Sequence, residues 1–149
     1  MKLKLLLLSL LTTTILSAAA LSVSNGYVRA TPPGVPNSAA FMQLQNHAKH
    51  DISVMSAHSN IAKKVELHTH DMVNGEMQMY QVKKIDIPAN GKTILQPGGF
   101  HIMLLGLHKP LKIGSLVGLT LTLYSGEEIK IKIPVKKVMA GMRMQHGTH

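Results

Sequence analysis

A period of two in hydrophobicity is the feature that most restricts what this chain can become. In Gly118-Leu-Thr-Leu-Thr-Leu-Tyr124, Leu119, Leu121 and Leu123 fall on one side, with Thr120, Thr122 and Tyr124 on the other. In Glu128-Ile-Lys-Ile-Lys-Ile-Pro-Val135, Ile129, Ile131, Ile133 and Val135 oppose Lys130 and Lys132. Strand side chains point alternately to opposite faces, so both runs read as half-buried β-strands. Ser125-Gly126 between them reads as a hairpin connection. Further strands are expected at Gly26–Ala30, Ala39–Gln45, Ile52–Ala57, Lys64–His70, Met77–Ile85, Thr93–Leu95 and Phe100–Leu105. Turn signals separate them: Thr31-Pro-Pro-Gly-Val-Pro36, Asn74-Gly75, Pro88-Ala-Asn-Gly91 and Pro97-Gly-Gly99. Many short strands with frequent turns predict an all-β antiparallel sandwich or barrel. A length of 149 residues suits one domain.

The first twenty residues do not belong to that pattern. Met-Lys-Leu-Lys-Leu opens with Lys2 and Lys4, an apolar run follows from Leu5 to Ile15, and Ala18-x-Ala20 fits a small-residue cleavage site. This is the three-part organisation of a secretory signal peptide. The expected division is a signal peptide at 1–20, a β-sandwich domain at 21–137 and a tail at 138–149. Cleavage after Ala19 is an alternative. The mature protein is expected in the periplasm, with no stable membrane insertion once the signal is removed.

Composition removes several classes of function. The chain has no Cys, which excludes disulfides, Cys-ligated zinc, Cys-ligated iron–sulfur clusters, Cys nucleophiles and lipid attachment at a cysteine. It excludes a blue-copper electron carrier as well, because that site needs a thiolate. The formal charge of +9 falls by two when Lys2 and Lys4 are removed with the signal peptide. The remaining basic residues are dispersed, and aromatic side chains make up 3% of the chain. That leaves almost nothing for bases to stack on, so nucleic acid is not an expected partner. Seven Asp and Glu form no acid–base constellation, and no catalytic residue is assigned. A copper oxygenase using a mature N-terminal His is not supported, since Ala20 or Leu21 follows the expected cut.

What remains is an excess of soft donors, 10 Met and 9 His. His68 shares a strand face with Glu66 and His70. Met77 and Met79 share another. His101 and Met103 point the same way, opposite the core-like Phe100, Ile102 and Leu104, and so on a face that burial does not explain. Asn74-Gly75 can turn the chain between the His68 and Met79 strands, which would bring the two side chains close if those strands pair. Two imidazoles and two thioethers make a neutral, soft donor set, which favours Cu(I) over calcium, magnesium or zinc. Met and His also avoid the oxidation that thiolates risk outside the cytoplasm. His70 and Met77, and Met72 in the expected turn, read as ordinary surface residues, with a secondary role in binding as the alternative.

The spacing resembles that of the periplasmic copper chaperone family PCuAC: His68, ten residues, Met79, twenty-one residues, then His101-Ile102-Met103. Tyr27-Val-Arg-Ala-Thr-Pro-Pro-Gly34, Val65-Glu-Leu-His-Thr-His70 and Gly98-Gly-Phe-His-Ile-Met-Leu-Leu-Gly-Leu107 are also similar to the family. Tyr27 departs from it, since Trp is common there. The resemblance implies a cupredoxin-like Greek-key β-sandwich that binds Cu(I) through His68, Met79, His101 and Met103. It further implies a non-enzymatic carrier that delivers copper toward cytochrome c oxidase, with a Sco-type protein or the copper-site subunit as recipient. A copper-buffering resistance protein without a specific recipient is the alternative. Met139, Met142, Met144, His146 and His149 lie within the last eleven residues. A His/Met-rich tract of this kind suggests metal binding, and similar extensions in the family imply a second copper, as Cu(II).

Overall fold

A computed structural model of the chain describes residues 19–137, and these form ten β-strands. They are β1 (Leu21–Arg29), β2 (Asn37–Asn46), β3 (Ile52–His58), β4 (Ala62–Val73), β5 (Glu76–Gln81), β6 (Ile85–Ile87), β7 (Lys92–Leu95), β8 (His101–Leu107), β9 (Leu116–Leu123) and β10 (Glu128–Lys136). Hydrogen bonding runs in the order β5-β4-β8-β2-β1-β10-β9-β3-β6, with β7 on β2. The one parallel pairing, Val28 with Val135 and Arg29 with Lys136, joins the two halves of that path. One layer is β5-β4-β8-β2-β1 with β7, and the other is β10-β9-β3-β6. The chain crosses between them at β2–β3, β3–β4, β5–β6, β6–β7 and β8–β9, the long-range connections of a Greek key. This is the cupredoxin-like sandwich expected for a single all-β domain.

The alternating runs behave as expected. Leu119 and Leu121 on β9 and Ile133 and Val135 on β10 are buried in the same cluster as Leu67, Ile102 and Leu104 from the opposite layer. The two runs pair as an antiparallel hairpin, Ile129 with Leu121 and Ile131 with Leu119, closed at Gly126 with a positive φ. The β4–β5 hairpin closes through Asn74 and Gly75, both with positive φ (53° and 82°), the two-residue geometry that favours Asn-Gly.

Two expectations change. The single strand expected at Met77–Ile85 is two strands in different layers. β5 pairs with β4 at the open edge of one sheet, and β6 pairs with β3 in the other. Ile85 and Ile87 are pulled into the core while every residue of β5 stays exposed. No Gly or Pro marks the crossing at Val82-Lys83-Lys84. Second, β4 runs on to Val73, so Met72 sits on a strand and not in the turn.

β1 carries a bulge that positions the site. Its register with β2 shifts between Ser24 and Tyr27, and Asn25 there has a positive φ. Beyond the shift Tyr27 lies directly opposite Phe41. Gly26 permits this because a Cβ at that position would sit 2.5 Å from Cγ2 of Ile133. Asn46, fully buried at the end of β2, ties the following turn to the core. Its Nδ2 donates to the carbonyls of His50 and Ile87 at 2.8 and 3.1 Å, and its Oδ1 accepts from Ala48 N–H at 2.8 Å.

Candidate metal centre

Antiparallel register places the soft donors on one face of the β5-β4-β8-β2 sheet. His68 lies directly opposite His101, Glu66 opposite Met103, and His70 opposite Met79. Residues directly opposite in such a pair have Cβ atoms about 4.5–5.5 Å apart, so three cross-strand pairs form one contiguous patch. The β7–β8 turn delivers His101 to it: Gly98 has a positive φ, and Gly99 N–H donates to the Gln96 carbonyl at 3.0 Å.

His101 Nδ1 donates to the Gly99 carbonyl at 3.0 Å. That bond fixes the tautomer, because a carbonyl can only accept. The other nitrogen, Nε2, lies 3.2 Å from the Sδ of Met79. The residue is only 2% exposed. Burial, chiefly, holds the His101 pKa below the ordinary imidazole value, and the neighbouring His70, His68 and Arg29 add to the effect, against an opposing push from the Gly99 hydrogen bond. A neutral His101 therefore presents a bare lone pair to a sulfur that also has only lone pairs to offer. With no proton between them, a soft cation is the natural partner for both.

His68 is arranged in parallel. Its Nε2 donates to Glu66 Oε2 at 2.6 Å, and its Nδ1 is buried with no hydrogen-bond partner. Glu66 is held as a carboxylate, its pKa lowered by the hydrogen bond from Lys64 (Nζ to Oε1, 2.5 Å) and then by that from His68. A carboxylate on the far side of an imidazole orients the ring and raises its basicity as a ligand. The His68 and His101 ring centroids are 5.8 Å apart.

The sequence puts His101 on a face that burial does not explain, yet the structure buries it. Phe41 stacks against it, with centroids 6.1 Å apart, and Tyr27 stacks on Phe41 at 5.3 Å. The Arg29 guanidinium lies 4.9 Å from the Phe41 ring centre. Phe41 and Arg29 also form part of the wall of a cavity beside the ring. It measures about 340 Å³ and is lined as well by His70, Met79, His101 and Met103, among others. Met79, one of the lining residues, is 45% exposed.

The structure thus brings His68, Met79, His101 and Met103 to one patch. Sequence reading assigned no task to Glu66, the Gly99 carbonyl, Phe41 or Arg29. The Glu-x-His spacing of Glu66 and His68 is the one signal available for Glu66; the Gly99 carbonyl lies only two residues from His101, and Phe41 and Arg29 depend on contacts between distant strands. Met139, Met142, Met144, His146 and His149 lie outside the described residues, as does nearly all of the expected signal peptide. Among the described residues, no group of three or more His, Cys, Asp or Glu is placed to hold a metal, so a metal here needs the thioethers. No helix of the described residues is long and apolar enough to cross a membrane.

Fold and patch together define a class: a cupredoxin-like sandwich with a His/Met cluster on one sheet face. Solved structures share its architecture. The Cu(I) form of DR1885 from Deinococcus radiodurans is 32% identical, with 87% of this chain and 86% of that one covered and a TM-score of 0.65. The copper-bound PCuAC domain from PmoF2 is 18% identical, covers 82% of this chain and 97% of the domain, and has a TM-score of 0.68; at that identity it shows the fold. The chain belongs to the LpqE-like family, described as "Putative lipoprotein LpqE-like", whose model matches residues 21–135. A relative in Leifsonia xyli subsp. xyli strain CTCB07, "Putative lipoprotein Lxx21020", is 35% identical over 120 residues, 80% of this chain and 71% of that protein. The present chain has no Cys to carry a lipid.

Proposed function

We propose that this protein is an exported copper chaperone that holds Cu(I) with His68, Met79, His101 and Met103 and passes it on by ligand exchange. The observation that carries the reading is the bare Nε2 of a buried, neutral His101 in contact with the Met79 sulfur. The Cu(I) form of DR1885 supports copper as the cargo. Four neutral ligands leave the site with the charge of the ion alone. In a partly desolvated patch beside Arg29, a monovalent ion is disfavoured less than a divalent one.

Transfer exchanges one metal–ligand bond for another and breaks no covalent bond, so the protein works as a carrier and not as an enzyme. His68 and His101 are anchored through their second nitrogens and stay in place. Met79, exposed and uncharged, is the ligand that an incoming donor displaces first. One ligand enters as one leaves, and the ion is never released to water. Export is supported by the basic and apolar N-terminal segment and by the lipoprotein names of the relatives, and the periplasm is the compartment proposed. The recipient proposed is a Sco-type protein or the copper-site subunit of cytochrome c oxidase, on the strength of the PCuAC resemblance.

Native mass spectrometry of the wild type and of Met103→Ala, with Cu(I), Cu(II) and Zn(II) in competition, tests the metal. The wild type should retain one tightly held Cu(I), and the variant should lose it to a chelator at lower concentration. Retention of Zn(II) with loss of Cu(I) overturns the assignment. In a deletion strain, loss of oxidase activity at low copper supports delivery; copper sensitivity alone points to buffering.

A further inference from the structure

The donors do not stop at the buried patch. On β4 the face that carries His68 continues through His70 and Met72, and on β5 it continues through Met79 and Met77. Met72 lies directly opposite Met77, next to the His70–Met79 pair. The opposite face of the same hairpin carries Thr69, Asp71 and Val73 against Tyr80, Gln78 and Glu76, with no soft donor among them.

Burial does not account for this sorting. Met72 and Met77 are 60% and 58% exposed, so neither fills a core, and an exposed strand gains nothing from Met over a polar residue. His70 adds a second, independent observation. Its Nδ1 is buried with no hydrogen-bond partner, although the ring sits at the cavity wall. Its centroid is 5.1 Å from that of His101, closer than His68 is. Neighbouring cross-strand pairs are spaced by roughly 7 Å along the strands. The flexible Met side chains can span that distance to converge on the imidazole.

We infer that the β4–β5 hairpin carries a second Cu(I) position, formed by His70, Met72 and Met77 and adjoining the His68–Met79–His101–Met103 patch on its solvent side. Three neutral soft donors in an exposed position suit weak, rapidly exchanging capture of Cu(I). Met79, shared between the hairpin and the patch, is the stepping point inward. The role of the outer position in loading rests on the function proposed above; its existence as a copper site does not.

The test is methyl NMR of the chain labelled at the Met methyl carbons, with the C-terminal segment retained, during anaerobic titration with Cu(I). Each Met reports separately, so the tail cannot be mistaken for the hairpin. The Met79 and Met103 methyls should shift in a first step, and those of Met72 and Met77 together in a later one. Met72→Leu/Met77→Leu keeps the side-chain volume at exposed positions and should remove the later step while the first is unchanged. In His70→Ala the later step should weaken. Met72 and Met77 methyls that stay unmoved through the titration overturn the outer site. So does a double variant that takes up copper in the same two steps at the remaining labelled residues. Movement of Met72 and Met77 without Met79 and Met103 would instead sink the inner assignment and leave the outer site standing.

Discussion

The Nε2 atom of His101 and the Sδ atom of Met79, on strands that do not pair with each other, lie 3.2 Å apart. β4 stands between β5 and β8, so the contact reaches across an intervening strand. Met79→Leu keeps a flexible apolar side chain and removes the donor. The fold should hardly notice, with a change within about 0.5 kcal/mol by urea denaturation, as is usual for exposed positions. Cu(I) affinity, measured against a colorimetric chelator, should fall by tenfold or more, on the order of the loss of about 1.4 kcal/mol of binding free energy. Unchanged affinity would remove Met79 from the ligand set.

Glu66 acts on copper through His68. It takes the His68 Nε2–H at 2.6 Å and leaves the buried Nδ1 without a hydrogen-bond partner. Glu66→Ala removes the partner that sets ring orientation, and loss of such outer partners commonly costs about 10–100-fold in metal affinity. Glu66→Gln retains an oxygen acceptor but not the charge, and should fall between wild type and Ala. Equal losses for both would show that the charge matters and the hydrogen bond does not.

Acid should destabilise the copper-free protein in the imidazole range because of His101. Its pKa is lowered in the folded state, mainly by burial. As pH falls below about 6.5, the unfolded chain takes up a proton that the folded chain refuses, so stability drops. The loss levels off once pH passes below the folded-state pKa. Above about pH 7 the group is neutral in both states and contributes no slope. Thermal unfolding between about pH 5 and 7.5 should show this dependence, and His101→Leu should flatten it. A variant with the full wild-type slope would place the titration elsewhere.

The outline of the fold was legible because burial imposes a period of two on β9 and β10 and because Asn74-Gly75 and Ser125-Gly126 are strong turn signals. The same logic failed at Met77–Ile85. A chain that leaves one layer for the other through Val82-Lys83-Lys84 keeps its strand-like composition, and only the partners differ. The site was legible as residue types and spacing. His68, His101 and Met103 each lie two residues from a functional or matching neighbour on the same strand face. Their convergence depended on register, which local sequence does not encode. Hence His68 facing His101 and Phe41 covering His101 emerged only from the structure.

Gly26 connects the bulge in β1 to the metal patch. A Cβ there would meet Cγ2 of Ile133 at 2.5 Å, and Ile133 is a buried β-branched residue with little freedom to turn away. Gly26→Ala must therefore push β1 from β10 or force Ile133 from its rotamer, at a cost of about 1–3 kcal/mol. Because the bulge sets Tyr27 against Phe41, and Phe41 against His101, the strain is passed to the wall of the site and not to its donors. Thermal unfolding should show a lowered midpoint for Gly26→Ala. Cu(I) affinity at a temperature where the variant is folded should fall much less than in Met79→Leu. A variant of wild-type stability would mean that the two strands separate there without cost, and a variant that stays folded but binds no Cu(I) would mean that the aromatic wall, and not the donor set, governs the site.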